Sequence, residues 1–535
     1  MLDYSHKRFL IVDDFSDFRT SLKAMLRELG AKDVDMADRG EDALSLCRHK
    51  RYDIILHDYN LGAGKNGQQV LEELLIGKLI SHECIFVMVT AESSQAMVLS
   101  ALEHEPDAYL TKPFNRASLS QRLDKLVERK TALQPILQAL DKQDSSAVLA
   151  ACASLSQQDK RYAPLCLRYQ AGALRELGRL DELEKLLTAL LADRTVPWAC
   201  IALGNLLQTR GQLPRAQQVY ELALKSFPMF PGLYDGLAAV LSAQGEGKRA
   251  QNLLEEAVRL SPLAIRRQMQ LGKLALENDD FGIASKAFRC AVEQGRTSCF
   301  KNPENYLGLT QALTGQAVDG SLDKRLQLDI NQTISELQKT YSNDQAVQVR
   351  ARLAHASSLV LSGDAAQAKK LTEEAVARLG DLQSFFSAEA AMAVASQLRE
   401  LGQAEASDTL LKNCVEIYGD DPAVMQGIAL QTSDPAILGS GLQALELNRQ
   451  GVRSYQQGEH GQALEHFRAA LALQPKNISM ALNTAQSLLR LGGEQATPAL
   501  LEECRACLEV VRIMPENDPR FARYQKLRHK AFGDE

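Results

Sequence analysis

The sequence predicts an α/β doubly wound domain with a parallel five-stranded sheet, followed by an all-α array of helical repeats. Three observations carry this. Five short apolar runs alternate with segments of helical period over the first 130 residues or so. Small and aromatic residues then recur with a 34-residue period. The chain has 535 residues, too many for one compact core, so the two patterns belong to separate parts of it.

The first run, Phe9–Val12, is a strand that stops on Asp13 and Asp14. Phe18, Leu22, Met25, Leu26 and Leu29 follow at helical spacing, and Gly30 ends them. Residues 33–37 read as a second strand, with a helix around 43–47. The third strand, "DIILHD", ends on Asp58 and leads to a helix over about 67–80. Residues 84–90 are a fourth strand ending in Thr90, with a helix near 95–104. Residues 108–111 are the fifth, running into Lys112 and Pro113, after which the last helix starts. Such alternation gives a parallel sheet with helices on both faces, and ligand sites in these sheets lie at the carboxyl ends of the strands.

Those ends bring together Asp13, Asp14, Asp58, Thr90 and Lys112. A lone Asp at a strand end is commonly just a polar turn, but three carboxylates on one edge need a counter-charge. Two of them about 4 Å apart repel by roughly 4 kcal/mol at an effective dielectric near 20. A divalent cation relieves this, and all-oxygen ligation favours Mg²⁺. An Asp positioned beside such a cation can act as a nucleophile toward phosphorus, with Lys112 and Thr90 placed to neutralise phosphoryl oxygens.

With these residues in view, positions 5 to about 128 resemble a two-component receiver domain of the CheY type. The carriers are "LIVDD", "ILHDYNL", "VMVTAE" and "AYLTKPF", in the family's order. The resemblance implies that Asp58 is the phosphoacceptor and that Asp13, Asp14, Asp58 and the Asn60 backbone carbonyl hold Mg²⁺. It also implies that Thr90 and Lys112 contact the phosphoryl group, and that Thr90 and Tyr109 form a switch. Asn60 and Glu92 are implied to set the phosphoryl lifetime, on the scale of seconds to minutes. The switch would reshape a surface carrying Leu102, Tyr109 and Leu119. Two departures stand out: Gly62 occupies a place where many receivers have Pro, in a loop one residue longer, and His57 replaces an apolar residue. Alternation along the strand turns His57 away from Asp58 and under a helix.

Past residue 131 the strand signals vanish. Gly204, Ala238 and Gly272 fall 34 apart, as do Ala216, Ala250 and Ala284, and Ala223, Ala257 and Ala291. Tyr220, Leu254 and Phe288 fill the space between. A further copy carries Gly451, Gly458, Ala463, Phe467, Ala470 and Pro475. Two antiparallel helices per unit explain the pattern: small residues let the backbones approach, and units stack because one cannot bury both faces. The pattern resembles tetratricopeptide repeats, which implies a superhelix that binds protein segments. The clearest copies are 197–230, 231–264, 265–298 and 444–477. Weaker ones are expected at 162–195, 348–381, 388–421 and 481–515, with 314–346 and 423–443 breaking the period. Asn205, Ile201 and Asp235 do not make the cation set of a carboxylate clamp, and Asn205 reads as groove-lining or solvated.

The expected division is a receiver at 1–128, a helical linker at 129–147 and the array at 148–535. Leu119, Leu126, Leu133 and Leu140 fall seven apart, which suits a homodimer seam. Pro135 interrupts that seam, so packing within the chain is preferred.

Net charge is −6 without a long basic block, which argues against nucleic acid as the main partner. Charged residues are 24% and hydrophobic ones 45%, ordinary for a globular protein. No apolar run approaches a membrane span, so no membrane insertion and a cytoplasmic location are expected. The ten cysteines make no disulfide framework, and Cys504 and Cys507 read as small buried residues rather than a zinc site. His355, His460, His466 and His529 are isolated on helical patterns. No catalytic constellation appears beyond the receiver's own phosphorylation and dephosphorylation. The combination, similar to VieB-type regulators, implies a response regulator phosphorylated by a histidine kinase, whose repeats bind a protein partner. The alternative is a phosphate sink or phosphotransfer competitor whose array binds the kinase itself.

Overall fold

The structure is a computed structural model that describes residues 3–62, 64–91, 106–318, 320–380, 382, 385–492, 497–514 and 518–532. Its contacts divide the chain into two compact units, Met1–Leu309 and Thr310–Glu535.

The first unit begins with a five-stranded parallel sheet: β1 (Arg8–Val12), β2 (Asp33–Ala37), β3 (Ile54–Asp58), β4 (Ile85–Thr90) and β5 (Ala108–Thr111), in the order β2-β1-β3-β4-β5. Alternate residues feed two cores. Phe9, Ile11, Ile54, Leu56, Val87 and Val89 face one side, closed by Leu22, Leu26, Leu119, Leu123 and Leu126. Leu10, Val12, Ile55, Phe86 and Met88 face the other, closed by Leu44, Val70, Leu71 and Leu74. Both faces are apolar because helices cover both, as a parallel sheet requires. Strand order reverses between β1 and β3, so their carboxyl ends open a crevice there.

The helix Arg116–Asp141 runs unbroken past Pro135. Its first half closes the sheet. Its second half buries Leu133, Ile136 and Leu137 against Val148, Cys152 and Cys166 of the first helices of the all-α region. Leu119, Leu126 and Leu133 are thus core residues of this chain, and Leu140 packs beside them. The expectation that Leu119 contributes to a surface is therefore corrected, because the helix turns residues 119, 123 and 126 inward together at i, i+4, i+7. Leu102 lies outside the described residues.

Helix pairs follow: Ala163–Glu176 with Leu180–Asp193, Pro197–Thr209 with Leu213–Ser226, Pro231–Ala243 with Gly247–Leu260, and Ile265–Glu277 with Phe281–Gly295. In the second and fourth of these pairs an aromatic is gripped by glycines. A β-carbon at Gly204 would lie 2.4 Å from the Tyr220 ring, and one at Gly236, in the next unit, 2.3 Å. Phe288 is held likewise by Gly272 and Gly308, at 2.7 and 2.5 Å. Gly236 follows Tyr220 by 16 residues, but Gly308 follows Phe288 by 20, because residues 296–302 form a longer connection. Asn205 is exposed but not idle: its side-chain oxygen accepts a hydrogen bond from the Tyr220 hydroxyl at 2.7 Å. Asp235 is half of a two-bond ion pair with Arg267, at 2.6 and 2.7 Å.

The second unit is also helical. It holds Gln345–Leu361 with Ala365–Leu379, Ala388–Glu400 with Ala404–Tyr418, and Ile478–Gly492 with Pro498–Val511. The helix Lys324–Thr340 lies within 314–346, and Pro422–Gln431 with the start of Pro435–Gln456 fills most of 423–443. The helix Pro435–Gln456 starts before the 444–477 copy and pairs with His460–Leu473, where a β-carbon at Gly451 would lie 2.6 Å from Phe467. Cys504 and Cys507 are buried free thiols, pushed by burial up to about 11 and about 12. Among the described residues no helix is long and apolar enough to cross a membrane.

Candidate functional site

The crevice between β1 and β3 is where the acidic residues meet. Val12 is in register with His57, so the residues that follow, Asp13 and Asp58, leave the sheet side by side. Side-chain oxygens of Asp13, Asp14 and Asp58 lie within 4.8 Å of one another. Asp13 and Asp58 are buried, at 1% and 7% exposure, while Asp14 stands at the open mouth.

Lys112 arrives from the end of β5. Its Nζ donates to Asp13 Oδ2 at 2.6 Å and to Asp58 Oδ2 at 2.8 Å. The same ammonium lies 4.2 Å from the centre of the Phe18 ring, a cation–π seat that the sequence reading did not anticipate. The Lys112 backbone N–H donates to the Thr90 carbonyl at 2.8 Å, fixing the two strand ends together. The Lys112–Pro113 bond is cis.

Burial pushes the Asp58 carboxyl above its ordinary range, and the bond from Lys112 offsets this only in part. Burial works to lower the Lys112 ammonium, yet its bonds to Asp13 and Asp58 outweigh that and hold it above normal. The two directions are compatible: one cation shared by two buried carboxylates keeps its proton but cannot neutralise both. That shortfall, with a donor set made only of oxygens, fits a small hard dication.

His57 lies where alternation put it, on the face opposite Asp58. It is fully buried, stacked on Phe86 with ring centres 5.6 Å apart, and its Nδ1 donates to the Asp58 carbonyl at 2.6 Å. Burial pulls its pKa down to about 4, so the ring is neutral and structural. Tyr109 is half-buried against the second core, with its hydroxyl oxygen enclosed and lacking a hydrogen-bond partner among the described residues. Asn60 is exposed, and its side chain accepts from the Gly62 N–H at 3.2 Å. Gly62 and Gly64 have φ of 70° and 102°, left-handed conformations that glycine accommodates without strain. Glu92 lies outside the described residues.

After the loop, the helix Gly67–Ile76 begins in direct contact with Asp58. A β-carbon at Gly67 would lie 2.6 Å from the Asp58 carbonyl oxygen and 2.7 Å from Met88 Sδ. Asn66 and Gln69 cap the helix reciprocally, at 2.9 and 3.1 Å.

Comparison with known proteins follows the same division. Residues 9–124 match the response regulator receiver domain family, and residues 444–477 match the tetratricopeptide repeat family. Over 122 residues, 23% of this chain, it is 34% identical to the chemotaxis protein CheY-3 of Vibrio cholerae serotype O1 and covers 92% of that protein. It is 32% identical over 122 residues to the chemotaxis protein CheY of Pseudomonas aeruginosa, covering 97% of it. Among solved structures, Vibrio cholerae CheY4 is 24% identical, with 22% of this chain and 98% of that one covered and a TM-score of 0.21.

Proposed function

The chain belongs, through its N-terminal domain, to the CheY-like response-regulator receiver family, and we propose that Asp58 accepts a phosphoryl group from a histidine kinase and that the repeats pass the change to a protein partner. The observation that carries this reading is the shared Lys112 contact to two buried carboxylates at the crevice where strand order reverses.

In the proposed transfer, an Asp58 carboxylate oxygen forms the O–P bond as the bond to the kinase's histidine nitrogen breaks. Lys112 turns from the carboxylates toward the incoming phosphoryl oxygens, and the Thr90 hydroxyl donates to one of them. Asp13, Asp14, Asp58 and the Asn60 carbonyl are the proposed Mg²⁺ ligands. When bound, the cation would draw charge from the phosphoryl oxygens and lessen their repulsion with the carboxylates.

The test is labelling with a small-molecule phosphodonor in the presence of Mg²⁺. Wild-type chain takes up one phosphoryl group at Asp58, and Asp58→Asn takes up none. Full labelling of Asp58→Asn would remove the assignment. Affinity capture with residues 145–535 then separates two outputs: recovery of an effector favours an adaptor, and recovery of a histidine kinase favours the phosphotransfer competitor.

A further inference from the structure

Three helices of the second unit lie side by side: Pro435–Gln456, Ile478–Gly492 and Phe521–Phe532. Where they meet, their side chains form one connected polar network. Asn483 Nδ2 donates to Asn448 Oδ1 at 2.9 Å, and Gln486 Nε2 donates to the Tyr455 hydroxyl at 3.1 Å. With their nitrogens engaged toward the first helix, Asn483 and Gln486 turn their oxygens toward the third. Arg523 meets them there. Its Nη2 donates to Asn483 Oδ1 at 2.8 Å and to Gln486 Oε1 at 2.6 Å, and its Nε donates to Gln486 Oε1 at 3.1 Å. Nη1 makes no hydrogen bond among the described residues.

A negative charge is missing from this network. Every group that holds Arg523 is neutral, and among the described residues the guanidinium has no ion pair. Two other partly or fully buried arginines are treated differently. Arg267 holds Asp235 with two bonds, at 2.7 and 2.6 Å. Arg520, one helical turn before Arg523, holds Asp518 with two bonds, at 3.0 and 2.8 Å. Arg523 is half-buried as well, and burial holds its guanidinium below the ordinary range. A charge withdrawn from water without a counter-ion is destabilising unless something else answers it. Amide oxygens fix the fork in place and leave its charge uncancelled, so it stands ready for an anion from outside.

We propose that Arg523 seats an Asp or Glu side chain of a protein segment lying across these three helices, with Asn483 and Gln486 as positioning residues. The carboxylate takes the open Nη1 in a charge-assisted hydrogen bond, and the planar fork favours a carboxylate over a point anion. The acid comes on a side-chain stem because the guanidinium is recessed among the amides, out of easy reach of a main chain passing over the helices. This deepens, and rests on, the reading that the repeats bind a protein partner.

The test pans the full chain against three libraries of short peptides with both ends capped or not: one with a central Glu and capped ends, one with a central Gln and capped ends, and one with a central Gln and a free C-terminal carboxylate. Binders are then titrated against wild type, Arg523→Gln and Gln486→Glu. The second variant guards against misfolding, because it supplies the missing carboxylate within the network and should melt no lower than wild type. The expected result is that the capped Glu library yields binders whose affinity falls at least about tenfold in both variants, the scale of one lost charge-assisted bond. Capped Glu peptides that bind Gln486→Glu as tightly as wild type would overturn the Arg523 seat and leave partner binding by the repeats standing. Binders from the free-carboxylate library alone would overturn the side-chain assignment. No binder from any library would overturn the seat and count against the peptide-binding reading as well.

Discussion

Gly67 and Asp58 touch through the backbone: a β-carbon at position 67 would sit 2.6 Å from the Asp58 carbonyl oxygen. The strand that ends in the proposed phosphoacceptor and the helix that meets the repeats therefore have no slack between them.

Gly67→Ala must displace one or the other. Met88 Sδ, 2.7 Å from the same β-carbon, can swing aside, but the carbonyl cannot. The expected cost is about 1–3 kcal/mol, the usual range for overpacking. Chemical denaturation of the wild type and variant measures it, and equal midpoints would show that the start of the helix is free to shift.

Lys112→Ala leaves two buried carboxylates facing each other. Breaking such a buried pair costs about 3–5 kcal/mol at full burial, and less here because the lysine side chain is 15% exposed. In chelator, the variant should melt well below the wild type. Added Mg²⁺ should recover more stability in the variant than in the wild type, because it meets a larger unbalanced charge. Equal Mg²⁺-induced shifts in the melting temperature would count against a shared site.

Asp14→Ala should behave in the opposite way. The residue is exposed, so its removal should change metal-free stability by no more than about 0.5 kcal/mol. Calorimetric titration should nonetheless show weakened Mg²⁺ binding, since one of three carboxylates is gone. An unchanged isotherm would place the ion elsewhere.

Gly204→Ala drives a methyl group toward the Tyr220 ring, at 2.4 Å. The expected loss is again about 1–3 kcal/mol, localised to the repeats. Tyr220→Phe, which gives up the hydroxyl's bond to Asn205 and its longer one to the Ile201 carbonyl, should cost about 1 kcal/mol. Reversal of that order in thermal melts would mean that the glycine position is not the tight one.

Thiol labelling of the native chain should reach Cys299 first. It is the one exposed cysteine among the ten, and those classed as buried are Cys47, Cys84, Cys152, Cys166, Cys200, Cys414, Cys504 and Cys507. Partial burial of its sulfur, then the nearby charges of Glu72 and Glu73, hold the thiol above its ordinary pKa. Glu73→Gln should therefore lower that pKa, raise the thiolate fraction and speed modification at fixed pH. Mass spectrometry of the labelled peptide reads this directly.

The sheet and its acidic crevice were legible because the signals are local: each apolar run ends on the residue that matters, and the order of Asp13, Asp58, Thr90 and Lys112 carries the geometry. The glycine-and-aromatic period was legible for the same reason. Leu119 was misplaced because a single leucine does not reveal which way its helix is turned. That needed Leu123 and Leu126 read with it. The contact between Gln69 and Thr297 was invisible because both are common surface residue types far apart in sequence. Its one trace in the sequence was the longer interval between Phe288 and Gly308, which breaks the rhythm set by Tyr220 and Gly236.

The unbroken helix Arg116–Asp141 strengthens the hydrogen bonds that Lys65 and Gln69 make to Thr297 and Gln294 of the repeats. It leads out of the receiver's core and packs directly on the first helices of the all-α region, so the two surfaces in contact are never far apart. Such a tether sets an effective concentration on the order of millimolar for short connections. A few hydrogen bonds from Lys65 and Gln69, too weak to join two separate molecules, suffice under that condition. A partner seeking the same face must compete with a rival that diffusion cannot carry away, so its apparent affinity for the whole chain falls below its affinity for the isolated repeats.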